Sequence, residues 1–109
     1  MMFYKRDEQG YKSPMEGVLQ KTLVWGERTL MVEFKIKKGA QVPRHKHPHE
    51  QTGYVVSGRL RLKVGDETFL AEAGDAWCIG ANVEHWAEVL EDSLVIEVFS
   101  PVREEFIPS

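Results

Sequence analysis

Three of the four histidines in this chain, His45, His47 and His49, fall within five positions. Imidazole is a common metal ligand and suits zinc, nickel, iron, copper and manganese-type sites. In an extended segment, a spacing of two puts His45 and His47 on one face. The plain alternative is three exposed histidines in a polar loop. Against it stand the strand-like runs on either side, and His85, which begins another such run. Pro48 interrupts regular pairing just before His49. His49 is therefore read as a residue behind the ligands or at the surface.

A second candidate is Glu97, which lies between Ile96 and Val98 in the most apolar run of the chain. Turned into a cavity, its carboxyl would lose water, rise in pKa and become a proton acceptor near neutral pH. The other reading is a structural ion pair, for example with Arg103, and the sequence leaves both open. Cys78 sits in Ala76-Trp77-Cys78-Ile79 without a charged neighbour. It reads as a small buried hydrophobe rather than a reactive thiol.

These side chains need short strands to hold them. In Thr29–Ile36, Leu30, Val32, Phe34 and Ile36 share one face. In Arg59–Val64, Leu60, Leu62 and Val64 oppose Arg59, Arg61 and Lys63. Gly65-Asp66 then separates that run from Glu67–Ala71, which is a hairpin signal. Further strands are expected at Val18–Trp25, Gly53–Val56, Ala76–Ile79, His85–Leu90 and Leu94–Phe99. A single helical turn is expected near Arg103–Phe106. Many short strands with glycines near their ends predict an all-β, antiparallel sandwich or barrel with little or no helix. Residues 1–17 form an arm or edge strand, and 18–109 a single domain. Leu94–Phe99 is apolar on both faces, which predicts burial on both sides and a homodimer. Trp25, Trp77 and Trp86 are expected to fill the barrel or a dimer interface. Trp86 should face away from His85.

With 109 residues the chain holds one core. Its net charge of -3, from 14 basic and 17 acidic residues, predicts no nucleic-acid partner. Residues 1–10 lack the apolar centre of a signal peptide, and no run is long enough to span a bilayer. A lone cysteine permits no internal disulfide. The expectation is a cytoplasmic protein with no membrane partner.

The segment Gly39–Gly58 resembles the first motif of the cupin superfamily: Gly39, His45, His47, Gln51 and Gly58 stand at its spacings. Gly74, Asn82 and His85 match the second motif. Gly80 and Val89 depart from the family's usual proline and asparagine without touching a ligand position. The resemblance covers roughly residues 30–100. It implies a jelly-roll barrel (a double-stranded β-helix) holding one divalent metal ion on His45, His47, Gln51 and His85. Read one residue shorter, the motif would place Glu50 as ligand; the count to Gly58 favours Gln51. Three imidazoles and an amide are neutral, so the metal keeps its full charge as a Lewis acid. Four protein ligands on a six-coordinate ion leave two positions for a bidentate substrate. Zn, Ni, Fe, Mn and Cu all suit this set. The ligands must be deprotonated, so metal affinity is expected to fall below about pH 6.5.

VIEVFSPVREEF also resembles the small cupins of pectin and alginate breakdown, which open 4,5-unsaturated uronates to linear keto sugars. That subgroup carries Asp-x-Phe-x-x-x-Arg, matched here by Glu97, Phe99 and Arg103, with glutamate in place of aspartate. The resemblance implies that Glu97 moves a proton, Arg103 anchors a small-molecule carboxylate and Phe99 walls the pocket. Two other functions remain open in the sequence: an iron or copper dioxygenase, and a non-catalytic binding or sensor module.

Overall fold

The computed structural model describes residues 1–108. In chain order the strands are β1 (Lys12–Met15), β2 (Val18–Trp25), β3 (Leu30–Ile36), β4 (Gln41–His45), β5 (Glu50–Val64), β6 (Glu67–Glu72), β7 (Ala76–Ile79) and β8 (His85–Ser100), and a 3-10 turn follows at Glu104–Phe106. All pairings are antiparallel, in the order β1-β2-β3-β8-β5-β6, with β4 on β8 and β7 on β5. The expected all-β jelly roll is what forms.

Two expected pairs of strands are each one long strand. Gly53–Val56 and Arg59–Val64 are parts of β5, and His85–Leu90 and Leu94–Phe99 are parts of β8. Their register slips between Val55 and Leu60, so both strands bend there without ending. Beyond the bend each serves a second layer. The first half of β5 and the last half of β8 lie between β7 and β3, while their other halves lie between β6 and β4. Gly58 makes the bend possible. Its φ is 97°, and a Cβ there would fall 2.2 Å from Ser93 Oγ. Glycine alone adopts that conformation and leaves that space.

Between the layers, Val55, Leu60, Leu62, Val89 and Val95 pack with Val18 and Ile36. Burying each such side chain contributes about 1.5–3 kcal/mol. A second cluster, Leu30, Val32 and Phe99, is covered by Trp25 and by Val102, Phe106 and Ile107 of the C-terminal tail. Thr22 Oγ1 donates to the Phe106 carbonyl at 2.5 Å and fastens that tail to β2. Ahead of β1, the Tyr11 hydroxyl donates to Glu33, and Lys21 donates to Tyr4.

The inward face of β7 carries Trp77 and Ile79, which leaves Cys78 on the outer face. Cys78 is exposed, contrary to the buried reading. The apolar run containing it is apolar on both faces of the strand, and its parity decides the matter. The outer faces of Ile96 and Val98 are half-buried, and Tyr54 beside them is exposed. Trp25 covers the second core cluster, and Trp86 is half-buried on the side opposite the buried His85. No helix among the described residues is long and apolar enough to cross a membrane.

Candidate metal centre

β4 ends at His45, and its last residue lies directly opposite His85, the first residue of β8. His47 is not on a strand, as its spacing had predicted, but follows in the turn toward β5. The three residues still offer ligand atoms within 4.8 Å of one another. Backbone carbonyls do the aiming. Each Nδ1 meets a carbonyl oxygen: His45 that of Pro43 at 2.9 Å, His47 that of His49 at 3.0 Å and His85 that of Val83 at 2.9 Å. A carbonyl can only accept, so each Nδ1 carries the proton and each Nε2 presents a lone pair. His47 Nε2 and His85 Nε2 are buried and have no hydrogen-bond partner among the described residues. The Asn82 backbone N–H donates to the His47 carbonyl at 2.8 Å, with Asn82 at a φ of 62°. This holds the turn before β8 against the one after β4.

Gln51 is 4% exposed and faces inward from β5, whereas Glu50 is exposed. The Gln51 side chain lies beside His47. Its Nε2 donates to Glu97 Oε2 at 2.9 Å, and its Oε1 is buried without a partner. Two buried imidazole nitrogens and one buried amide oxygen, all unpaired and close together, are costly in a folded protein. They form a donor set that a divalent cation would satisfy, so the residues fit the metal ion that the motif implies. His49 stands outside this group. Its ring is as near to His47 as that of His45, and its Nδ1 is also buried without a partner among the described residues. The ligand atoms that converge, however, are those of His45, His47 and His85, and the His49 carbonyl is the one that holds His47 Nδ1.

Burial sets the protonation of these groups. His47 is pushed down to about 4, first by loss of water and then by the positive charge of Arg103. His85 is lowered, again mainly by burial. Both stay in the ligand form below pH 6.5, so the ordinary imidazole value places their protonation too high.

Glu97 points into a cavity of about 370 Å³ bordered by His45, Gln51, His85, Trp77 and Arg103. That is a volume suited to a small molecule. Burial drives its carboxyl up to about 7, against hydrogen bonds from Trp77 and Gln51 and the charge of Arg103. Its partners are Gln51 Nε2 and Trp77 Nε1, the latter at 3.2 Å. The ion pair left open in the sequence does not form with Glu97. Arg103 Nε donates instead to Glu105. The guanidinium stacks 5.0 Å from the Phe99 centroid and 4.2 Å from that of Phe106, at the cavity edge. Phe99 is buried, lines the cavity and packs edge-on against His47 at 5.7 Å. Trp77 and Phe106 are the site residues that sequence reasoning missed. The inward parity of Trp77 with Ile79 was the available signal for the first.

A family model for the cupin domain matches residues 32–100. The pectin degradation protein KdgF of Dickeya dadantii (strain 3937) is 31% identical over 107 residues, covering 96% of this chain and 97% of that protein. The solved structure of KdgF from Halomonas sp. superposes with a TM-score of 0.92 at 32% identity, covering 97% of this chain and all of the other. An RmlC-like cupin from Shewanella frigidimarina NCIMB 400 also superposes with a TM-score of 0.92, at 27% identity, covering 98% of this chain and 96% of that one.

Proposed function

The chain belongs to the cupin family, and from that premise we propose that it is a metal-dependent enzyme that opens the ring of a 4,5-unsaturated uronate. The observation that carries this reading is the Gln51 amide, which joins the Glu97 carboxyl to the imidazole cluster. A relative named for pectin degradation, similar over nearly the whole chain, supports the substrate class.

His45, His47, Gln51 and His85 hold one divalent ion, which when bound supplies a Lewis acid for vicinal substrate oxygens. Arg103 pairs with the substrate carboxylate through the Nη groups that Glu105 leaves to it, while Phe99 and Phe106 fix the guanidinium plane. Glu97, near 7, is poised to accept the proton of the anomeric hydroxyl. As that proton leaves, the C1 oxygen becomes a carbonyl and the ring C1–O bond breaks. The ring oxygen leaves C1 with the bonding pair and stays on C5 as an enolate, which takes one proton at C4 and becomes a ketone. The atoms balance as an isomerisation, with no oxidant or water consumed.

The protein works in the cytoplasm as a homodimer in this reading, with Tyr54, Ile96 and Val98 offering an apolar outer face. The test follows the ultraviolet absorbance of the conjugated acid of 4,5-unsaturated galacturonate. Protein stripped by chelator and reloaded with single metals should restore its loss metal by metal. No loss above the protein-free rate with Zn, Ni, Fe, Mn or Cu would refute the assignment.

A further inference from the structure

We propose that Trp77 is a positioning residue for Glu97, and that Gly53 is a glycine because the Trp77 indole must cross it. The inference rests on Glu97 as the proton-moving carboxylate proposed above.

Three adjacent strands place these residues in one row. Gly53 on β5 lies directly opposite Trp77 on β7 and, on its other side, opposite Glu97 on β8. Neighbouring strands are about 4.8 Å apart, so the two outer backbones stand about 10 Å from each other. Only a side chain laid across the middle strand can join them. The indole does this, and its Nε1 donates to Glu97 Oε1 at 3.2 Å. A Cβ on Gly53 would fall 2.3 Å from Nε1 and Cε2 of that ring and 2.5 Å from Cζ2. The ring therefore lies flat on the Gly53 backbone. Gly53 is not among the glycines with positive φ, so its conformation would accept any residue. Glycine inside a strand weakens it, and close approach of another group is the usual reason to find one there. Here that group is the indole.

The contact does something specific. Indole N–H can only donate, so it holds Oε1 as an acceptor. Gln51 Nε2 holds Oε2. Two donors on two different oxygens fix the rotation of the carboxyl plane, and the remaining lone pairs face the cavity in one orientation. Proton transfer depends steeply on such alignment. The Trp77 indole donates to Glu97 and not to any of the three histidines, so its effect should fall on turnover rather than on metal affinity.

The test compares Trp77→Phe, Gly53→Ala and the double variant in the metal-loaded enzyme with 4,5-unsaturated galacturonate. Loss of one charge-assisted hydrogen bond should lower kcat roughly tenfold in Trp77→Phe, with KM and metal affinity unchanged. Gly53→Ala should match it by lifting the indole away, and the double variant should be no worse than Trp77→Phe. The indole N–H proton resonance of Trp77, identified by its absence in Trp77→Phe, should shift in both Gly53→Ala and Glu97→Gln. Unchanged kcat in Trp77→Phe, where Glu97→Gln abolishes turnover, would overturn this inference and leave the proposed function standing. Full turnover in Glu97→Gln would overturn both. Multiplying losses in the double variant would refute the reason given for Gly53. If Gly53→Ala fails to fold, that loss itself supports the steric reason given for Gly53 only if Gly53→Ala in the Trp77→Phe background folds. The kcat of Trp77→Phe, with the Trp77 resonance shift in Glu97→Gln, then decides the positioning role.

Discussion

In metal-free protein, Glu97 and His47 should oppose each other in the pH dependence of stability, and replacing Glu97 with Gln should expose the imbalance. Glu97 has its pKa raised from 4.5 to about 7 by folding. Its contribution is fully present below pH 4.5 and is lost as pH rises through 7, because the unfolded chain gives up that proton first. His47 is lowered from 6.5 to about 4. Its contribution is present above pH 6.5 and is lost as pH falls toward 4, because the unfolded chain takes up the proton first. One pKa unit corresponds to about 1.4 kcal/mol, so each group shifts stability by about 3 kcal/mol across its window. The windows overlap and the slopes have opposite sign, so the two nearly cancel in the native protein. Glu97→Gln removes one side. Urea unfolding of chelator-treated protein at pH 4.5 and pH 7 should show this variant gaining about 2–3 kcal/mol more than wild type on going to pH 7. His47→Asn should show the opposite sign, losing stability over the same interval relative to wild type. Other titrating groups are common to all three proteins and drop out of the difference. Equal pH dependence in wild type and Glu97→Gln would refute the burial of Glu97 as the cause of its raised pKa.

Saturating zinc or nickel at one hundred times its dissociation constant should stabilise the native fold by about 2.7 kcal/mol. His85→Ala should abolish most of that gain in thermal unfolding, and an equal gain in the variant would remove His85 from the donor set. Arg103→Lys keeps the charge but loses the planar fork and its stacking on Phe99 and Phe106. KM for the uronate should rise about tenfold or more with a smaller change in kcat. Steady-state kinetics showing an unchanged KM would separate Arg103 from carboxylate binding.

Much of this fold was legible because its faces alternate. Leu60 and Leu62 against Arg59 and Arg61 announce a half-buried strand, and Gly65-Asp66 announces its hairpin, which forms with Val64 opposite Glu67. The bend at Gly58 was not legible. A glycine between two alternating runs reads as a strand end, and only the neighbouring Ser93 shows that the strand continues through it. The histidine cluster was visible in the spacing, but for a different reason from the one that unites it. Its geometry comes from the carbonyls of Pro43, His49 and Val83, which no side-chain pattern reveals. Cys78 was misjudged, and Trp77, which packs against the core as expected, was not seen as part of the site. In a four-residue apolar strand either parity is plausible from composition, and pairing with β5 decides which side chain faces the cavity.

The central claim is that this barrel uses its metal centre and Glu97 to open an unsaturated uronate. Its most direct test is proton NMR of 4,5-unsaturated galacturonate in D2O with the metal-loaded protein. The expected result is conversion faster than the protein-free rate to a linear keto sugar acid with deuterium at C4, lost after chelation and in Glu97→Gln. Substrate that persists at the protein-free rate with every metal loaded would contradict the claim.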